Sequence, residues 1–281
     1  MKIGIIGASG FIGKHLAAAV TARGDTVVHA SIRGDLRTAA QAVQGCDVVV
    51  NLAGESVAQR WTPDVKKRIA DSRITAARGL IAALSEFERK PRRYISASAV
   101  GYYGPSVDAT FTEASPVGKD FLAGVCLEWE TEAYKATQAG MAVALLRTGL
   151  VLGTDGGALP QLLTPFRLGL GGIVGSGQQW TSWIHIDDIV GLYLLAIDGA
   201  DGIFNATAPN PVRNRDFTTA LAHALHRPAI IPVPALAMHL LFGEGATIVL
   251  DGQRVLPARA QQIGYRFRHE TIDSALTALV S

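Results

Sequence analysis

Three glycines near the amino end have the spacing of a phosphate-binding turn. Gly7, Gly10 and Gly13 form a G-x-x-G-x-x-G pattern that directly follows an apolar run and opens a helical one. The first glycine permits a tight turn, the second lets the backbone approach a pyrophosphate, and the third lets the helix pack on the strand. The helix start then offers unpaired N–H groups and a partial positive charge. The pattern predicts a dinucleotide site at the residues of this turn: Gly7, Ser9, Gly10, Phe11, Ile12 and Gly13.

Two other interpretations of this turn have to be weighed. An ATP-binding loop needs G-x4-G-K-[ST]. Gly13 and Lys14 are present, but Ala8 stands in place of the first glycine and His15 in place of the hydroxyl residue, so this interpretation is rejected. A glycine-rich turn without a ligand is the remaining alternative.

The ends of the next two predicted strands favour a particular cofactor. Ser31 and Arg33 follow the second strand, where a carboxylate would bind the ribose of NAD and an arginine favours the 2′-phosphate of NADP. We therefore expect NADP, with NAD still open and a solvated loop arginine as the alternative. Leu52, Ala53 and Gly54 close the third strand, where small residues leave room for the adenosine side of the cofactor.

Arg73 interrupts the apolar stripe of a helix that we predict from Pro63 to Leu84, with Thr62 as its N-cap. An arginine on a core-facing stripe needs an anion or hydrogen-bond acceptors. The cofactor phosphates are one candidate, and a side chain that extends to solvent is the alternative.

Short β-branched runs alternate with helical segments through the first half of the chain. The predicted strands are Lys2–Ile6, Thr26–Ala30, Cys46–Leu52, Arg92–Ser96, Ala142–Leu146, Trp183–Ile186 and Ile203–Ala206. The predicted helices besides 63–84 are Phe11–Arg23, Asp120–Gln138, Leu159–Leu168 and one that Asp187 or Asp188 caps. This alternation predicts an α/β fold, a Rossmann-type doubly wound parallel sheet with a small, mostly helical C-terminal cap. Residues 1–148, with a return segment 181–208, would bind the dinucleotide, and residues 149–180 and 209–281 would form the substrate region.

Composition limits the partners and the compartment. The chain is 48% hydrophobic and has a net charge of +2 without a long basic block, so we expect no nucleic-acid partner. No apolar run approaches the ~18 residues that span a bilayer, and a glycine interrupts the apolar start at once. Two cysteines give neither a disulfide framework nor a metal-ligand spacing, so we predict no metal and a cytoplasmic location. The expected partner is a small-molecule substrate, in a monomer or a homodimer.

The chain resembles an extended short-chain dehydrogenase/reductase. Within that class it is similar to the nucleoside-diphosphate-sugar epimerase-like family that carries a C-terminal domain called DUF1731. The matching stretches span nearly the whole chain: 51–55 (NLAGE), 60–62 (RWT), 71–73 (DSR), 96–104 (SASAVGYYG), 129–130 (WE), 146–149 (LRTG), 182–188 (SWIHIDD) and 255–257 (VLP). The resemblance implies NADP-type binding through the glycine turn, Ser31 to Arg33, Leu52 and Ala53, Arg73, and the segment after Arg147 that includes Thr148 and Gly149.

The resemblance also exposes a gap in the catalytic machinery. Enzymes of this class use a Tyr as acid and base, a Lys four residues later, and a Ser. None of the six tyrosines is followed by Lys at that spacing. Ser98 is retained just past the predicted strand that ends at Ser96, at the carboxyl edge of the sheet. Tyr102 and Tyr103 could supply a phenol or simply pack the cap. Glu113, Cys126 and His185 are weaker candidates.

Two functions remain open from the sequence. The first is an NADP-dependent oxidoreductase or epimerase-like enzyme that uses Ser98, Tyr102 or Tyr103, with a sugar nucleotide as one candidate substrate. The second is a non-catalytic, NADP-binding regulator or redox sensor, linked to cell division by labels that family members carry.

Overall fold

A six-stranded parallel sheet forms the centre of the protein. The computed structural model describes residues 1–32 and 34–280. The strands are β1 (Lys2–Ile6), β2 (Thr26–Ala30), β3 (Val48–Asn51), β4 (Arg93–Ala99), β5 (Thr110–Phe111), β6 (Ala142–Thr148), β7 (Leu150–Leu152), β8 (Trp180–Thr181), β9 (Trp183–His185), β10 (Gly202–Ala206), β11 (Val212–Arg213) and β12 (Arg254–Val255). The central order is β10-β6-β4-β3-β1-β2.

Twelve α-helices connect and cover the strands in the described part of the chain. They are α1 (Phe11–Ala22), α2 (Leu36–Ala42), α3 (Pro63–Asp71), α4 (Ile74–Ser85), α5 (Phe121–Tyr134), α6 (Leu159–Arg167), α7 (Ile186–Asp198), α8 (Asn214–Ala224), α9 (Ala235–Phe242), α10 (Thr247–Leu250), α11 (Ala258–Gln262) and α12 (Ile272–Val280). Short 3-10 turns lie at Val100–Tyr103, Lys135–Ala139 and Glu244–Ala246. None of the described helices is long and apolar enough to cross a membrane.

The sheet is covered on both faces, which confirms the predicted doubly wound fold. Alternate strand residues such as Ile5 pack with α1 and α7 in one apolar cluster. The residues between them, such as Val49, pack with α2, α4 and α5 in a second cluster. The chain adds β2 on one side of β1 and then crosses to β3 on the other. A crevice at the carboxyl ends of β1 and β3 is where such sheets bind ligands.

A third apolar cluster joins α6, α8 and α12 beside the sheet. The C-terminal segment is also tied to α7 through Asp188, whose side chain is fully buried. Its two carboxylate oxygens accept the backbone N–H groups of Arg268 (2.7 Å) and His269 (3.0 Å). The Tyr265 hydroxyl donates to the Asp188 carbonyl at 3.0 Å.

Several predicted helix bounds differ from the structure. The helix expected over Asp120–Gln138 ends at Tyr134, where a 3-10 turn begins. The helix expected from Pro63 to Leu84 is broken at Ser72, where α3 ends before α4 begins. Ser72 Oγ donates to the Ile69 carbonyl (3.1 Å) and accepts the Glu55 N–H (2.9 Å), so its hydroxyl competes with the helical hydrogen bonds.

The cap of α7 is His185, not Asp187 or Asp188. His185 Nδ1 accepts the Asp187 N–H at 3.1 Å. Asp188 is unavailable because its carboxylate already binds the C-terminal segment.

Candidate functional site

The glycine turn lies at the carboxyl end of β1, as the sequence predicts. Gly7 has φ +85°, a left-handed conformation that favours glycine. A Cβ on Gly13 would lie 2.2 Å from the Gly7 carbonyl oxygen, so no side chain fits there. A Cβ on Gly7 would lie 3.3 Å from the Ala53 nitrogen, which shows how closely the turn approaches the end of β3.

Helix α1 begins without a side-chain cap at Gly10, and its first turn carries no acidic residue. Its first backbone N–H groups are therefore free to bind an anion. Ser9 is exposed beside this helix start. Lys14, in the first turn of α1, forms an exposed ion pair with Asp155, with 2.7 Å between Nζ and a carboxylate oxygen. Lys14 and His15 together lower the pKa of Asp155 to about 2.

Phe11 and Ile12 at the helix start have a packing role. The Phe11 ring fills the space above the loop after β7, where a Cβ on Gly153 or Gly156 would come within 2.6 Å of it. Ile12 packs against the cluster that includes α1 and α7. The start of α1 is thus fixed on two sides.

Arg73 lies at the break between α3 and α4 and turns toward Gly54. A Cβ on Gly54 would lie 3.0 Å from the Arg73 guanidinium carbon. The guanidinium donates to the Ile69 carbonyl (3.1 Å) and lies 5.3 Å from the centre of the Trp129 ring. No described carboxylate lies within ion-pair distance of it, and burial lowers its pKa.

The other residues predicted to bind the cofactor lie at the ends of β2, β3 and β6. Leu52 packs at the edge of the cluster with α1 and α7. Ser31 follows β2, and Arg33 lies outside the described residues. Thr148 ends β6, and a Cβ on Gly149 would meet the Ser182 carbonyl oxygen at 2.3 Å.

A buried polar network occupies the position of the predicted catalytic residues. The register of the sheet pairs Ser98 of β4 with Arg147 of β6, and Arg147 with Asn205 of β10. Arg147 binds both oxygens of Glu130 on α5, through Nε (2.8 Å) and Nη2 (2.7 Å). Ser98 Oγ donates to the same Glu130 carboxylate at 2.6 Å.

Tyr103 belongs to this network as well. Its hydroxyl donates to Asn205 Oδ1 at 2.6 Å and accepts from Arg147 Nη1 at 2.9 Å. Burial raises the pKa of Tyr103 to about 12. A phenol that is buried, protonated and bonded on both sides is poorly placed to exchange protons with a substrate.

Tyr102 is the predicted catalytic residue that stays accessible. The Arg147 guanidinium lies over its ring, with 3.3 Å between the ring centre and the guanidinium carbon. The Tyr102 side chain is only half-buried, and its hydroxyl has no hydrogen bond to the described residues. Among the three predicted groups, Ser98, Tyr102 and Tyr103, Tyr102 alone presents a free hydroxyl.

Sequence reasoning missed Glu130 and Arg147 as functional partners. Both side chains are nearly fully buried, at 5% and 2% exposure. A signal was present, because Arg147 stands alone in an apolar strand, and a buried cation needs a counter-charge. The sequence could not say which of 24 acidic residues supplies it.

Helix α5 faces the Tyr102 turn with two side chains that cannot transfer protons readily. A Cβ on Gly101 would lie 3.3 Å from Leu122 Cβ and 4.0 Å from Cys126 Sγ. These two residues are four apart, the spacing of the Tyr and Lys that the class uses. Burial raises the pKa of the Cys126 thiol to about 12, so it stays protonated.

Glu113 and His185 have structural contacts. The Glu113 carboxylate accepts the Asn205 N–H at 2.9 Å. His185 lies with Asp187 and His269 in a group whose potential ligand atoms are within 4.8 Å of one another. The sequence spacing could not predict this group. The Nδ1 lone pair of His185 is already used to cap α7.

Comparison with known proteins defines the class to which this geometry belongs. Residues 3–207 match the NAD dependent epimerase/dehydratase family, and residues 233–279 match the domain of unknown function DUF1731. The chain therefore belongs to the NAD dependent epimerase/dehydratase family, as the resemblance in its sequence implied.

Three similar proteins match this chain over its whole length. The epimerase family protein SDR39U1 homolog of Arabidopsis thaliana, described as chloroplastic, is 42% identical over all of this chain and 87% of its own length. Human SDR39U1 (isoform 2), crystallised with NADPH, is 32% identical, with a TM-score of 0.92 over 100% of this chain and 99% of the human one. A nucleoside-diphosphate sugar epimerase from Corynebacterium glutamicum is 33% identical, with a TM-score of 0.83 over 100% of this chain and 58% of its own.

Proposed function

We propose that this protein binds NADP(H) at the Gly7–Gly13 turn and is an oxidoreductase or epimerase-like enzyme acting on a small-molecule substrate. The observation that carries the proposal is the close approach of the backbone at Gly13 to the Gly7 turn, where a Cβ on Gly13 would come within 2.2 Å of the Gly7 oxygen. The uncapped start of α1 adds the anion-binding N–H groups. The NADPH in the crystal structure of human SDR39U1 supports the same cofactor here.

Arg73 is the residue that we expect to bind the cofactor's negative charge beside the turn. A guanidinium without a described carboxylate partner is costly to bury unless an anion accompanies it. Its contact with Gly54 places it at the end of β3, next to the crevice. Ser31 and Arg33, after β2, are the expected site of the 2′-phosphate.

Tyr102 is the group that we expect to donate or accept the substrate proton. A bound nicotinamide supplies or takes up a hydride. When a carbonyl carbon gains a hydride, its oxygen needs a proton, which the Tyr102 hydroxyl can give. The adjacent Arg147 guanidinium would stabilise negative charge that develops on the phenol. Glu130, which accepts a hydrogen bond from Ser98, and Tyr103 would hold that guanidinium in place.

Residues 149–180 and 209–281 are expected to form the substrate region. The helices α6, α8 and α12, which belong to these segments, share one apolar cluster. A cytoplasmic location remains a prediction.

Titration with NADPH tests the cofactor half of the proposal. We expect Arg73→Gln to raise the NADPH Kd about tenfold or more, the value of one charge-assisted hydrogen bond. Arg68→Gln is the matched control, because Arg68 lies on α3 with an exposed side chain. Equal affinity in the two variants would contradict the role of Arg73.

Turnover of NADPH or NADP+ with a panel of carbonyl compounds and sugar nucleotides tests the catalytic half. Tyr102→Phe should abolish any turnover found, whereas Tyr103→Phe should retain part of it. Tight NADPH binding without turnover on any substrate would count against an enzyme.

The face of α5 favours one alternative, a non-catalytic NADP(H)-binding regulator or redox sensor, with a role in cell division as the candidate process. Leu122 and Cys126 stand toward the Tyr102 turn where the class has its Tyr and Lys. A pulldown with and without NADPH separates the two functions. A sensor should change its partners with NADPH, and identical partners in both states would contradict it.

A further inference from the structure

Large apolar side chains from two segments of the chain are exposed on one part of the protein. Six of them have 53% to 79% of their area accessible, and together they are called the apolar surface: Leu168, Leu170, Ile230, Leu236, Leu240 and Leu241. The first two follow α6, the third precedes α9, and α9 carries the other three. Single exposed apolar side chains are ordinary, but a large contiguous group marks an interaction site.

Backbone hydrogen bonds hold the two segments side by side. The Ile231 N–H donates to the Gly171 carbonyl (3.2 Å), and the Val233 N–H donates to the Ile173 carbonyl (2.9 Å). A Cβ on Gly172 would lie 1.6 Å from the Ile231 carbonyl oxygen, so the two backbones are in direct contact. The apolar side chains that flank these bonds therefore belong to one surface.

Helix α9 buries no apolar face within the chain. Its eight residues include no buried one, and His239 is the only polar residue among them. A helix that is apolar on all sides is normally enclosed by other apolar groups. Its carboxyl end is fixed by its backbone, because the Phe242 carbonyl accepts the Trp61 N–H at 3.1 Å and the Leu240 carbonyl accepts from Arg60. The helix is thus held on the protein while most of its side chains remain exposed.

The two segments carry positive charge and no carboxylate. Residues 156–186 and 217–243 contain no Asp or Glu, although the whole chain has 24 acidic residues. Their only Lys or Arg residues are Arg167 and Arg227. Arg227 Nε donates to the Arg167 carbonyl at 3.2 Å, which places both arginines beside Leu168 of the apolar surface.

The carboxylates that follow α9 already have cationic neighbours. Glu244 forms an ion pair with Lys66. Burial raises the pKa of Asp251, and the nearby His239 opposes that shift. These two carboxylates therefore add little negative charge beside the apolar surface.

We propose that the apolar surface binds a lipid membrane that carries anionic headgroups. Helix α9 is about 12 Å long at 1.5 Å per residue, so it would lie flat at the interface and not cross the bilayer. The six side chains would enter the boundary between headgroups and acyl chains, and Arg167 and Arg227 would contact lipid phosphates.

Charge favours a membrane over a second copy of this chain. In a two-fold contact the same surface meets itself. Arg167 and Arg227 of both copies would then come together, and neither segment of either copy supplies a carboxylate. An anionic membrane offers both an apolar interior and the missing negative charge.

Co-sedimentation of the full chain with lipid vesicles tests the proposal. One vesicle type is phosphatidylcholine alone, and the other is an equal mixture of phosphatidylcholine and phosphatidylglycerol. The wild type should bind the mixed vesicles more tightly than phosphatidylcholine. Arg167→Gln and Arg227→Gln should each weaken binding to the mixed vesicles about fivefold, the effect of about one charge near an anionic surface.

A double leucine variant tests the apolar contribution. Replacement of both Leu236 and Leu240 by Gln should weaken binding to the mixed vesicles about tenfold or more, because two apolar side chains no longer enter the membrane. Leu127→Gln on α5 is the matched control, the same exchange at another exposed leucine, and should bind as the wild type does. All the replaced side chains are exposed, and circular dichroism establishes that each variant is folded.

Three results with vesicles would overturn the proposal: no binding of the wild type to the mixed vesicles, equal binding of the wild type and the double leucine variant, or equal binding of the wild type to the two vesicle types. Sedimentation equilibrium without lipid gives a fourth. A wild-type dimer that the double leucine variant dissociates would mean that a second copy of the chain covers this surface, and would also overturn the proposal.

Discussion

Replacement of Gly13 by alanine is the sharpest perturbation of the cofactor site. The new Cβ would lie 2.2 Å from the Gly7 oxygen and 2.8 Å from the Ala8 Cα, whereas real Cβ contacts essentially never fall below 3.0 Å. Both neighbours are backbone atoms, so no side chain can rotate away. The start of α1 has to move from the end of β1 by about 1 Å.

That displacement sets the expected loss of affinity. A hydrogen bond of about 2.9 Å that lengthens by about 1 Å is lost. Each hydrogen bond to a charged group contributes about 1.5–3 kcal/mol. The loss of one or two such bonds, about 3 kcal/mol, raises the NADPH Kd by about 100-fold, at 1.4 kcal/mol for each factor of ten.

Fluorescence titration with NADPH measures this change, and two other glycines calibrate it. Gly10→Ala should have a smaller effect, since its Cβ would meet one atom, the Gly7 oxygen, at 3.2 Å. Gly124→Ala on α5 should leave NADPH binding unchanged, because its Cβ would have nothing within 4 Å. Circular dichroism establishes that each variant is folded. If folded Gly13→Ala bound NADPH within threefold of the wild type, the glycine turn would not be the phosphate site.

The other predictions concern the buried polar groups. Glu130→Gln leaves the Arg147 charge without a partner and should lower the free energy of unfolding by about 3–5 kcal/mol. Denaturant unfolding measures this change. A loss below 1 kcal/mol would contradict a stabilising role of the ion pair. Tyr103→Phe removes the hydrogen bond to Asn205 and should lower the free energy of unfolding by about 1–3 kcal/mol. The NADPH affinity of this variant should stay constant. A loss of NADPH affinity would instead place the Tyr103 hydroxyl at the cofactor. Burial lowers the pKa of His185 from 6.5 to about 4, so the unfolded chain takes up a proton first and stability should fall by about 2 kcal/mol between pH 7 and pH 4.5. His185→Asn, which keeps a cap acceptor for α7, should lose that part of the pH dependence in thermal unfolding curves, and an unchanged pH profile would show that another group titrates.

The first two strands and the glycine turn could be predicted because the residues that define them are adjacent in the sequence. The bounds of β1 and β2 agree with the sequence, since each is a short β-branched run ended by Gly or Ser. The glycine turn was recognisable because its strand and helix adjoin it. The break between α3 and α4 was missed, since it depends on a hydrogen bond from Glu55 N–H to the Ser72 hydroxyl, 17 residues apart.

The candidate catalytic site was predictable in place but not in chemistry. Ser98 was expected just past a strand that ends at Ser96, at the carboxyl edge of the sheet, but β4 continues to Ala99 and Ser98 lies within it. Its hydroxyl is bonded to Glu130, on a helix more than 30 residues later, and only the packing of α5 on the sheet brings the two together. Sequence spacing shows which side chains lie together on one strand or helix. It does not show which side chains of other elements will form hydrogen bonds or ion pairs with them.

The hydrogen bonds between Asp188 and the C-terminal segment determine where the chain can be truncated without loss of folding. A chain that ended before Arg268 would leave a fully buried carboxylate without its two backbone donors, and burial already raises the pKa of this group. We expect the region that matches the epimerase/dehydratase family to fold poorly when expressed without the last segment. The two matched regions would then unfold as one cooperative unit.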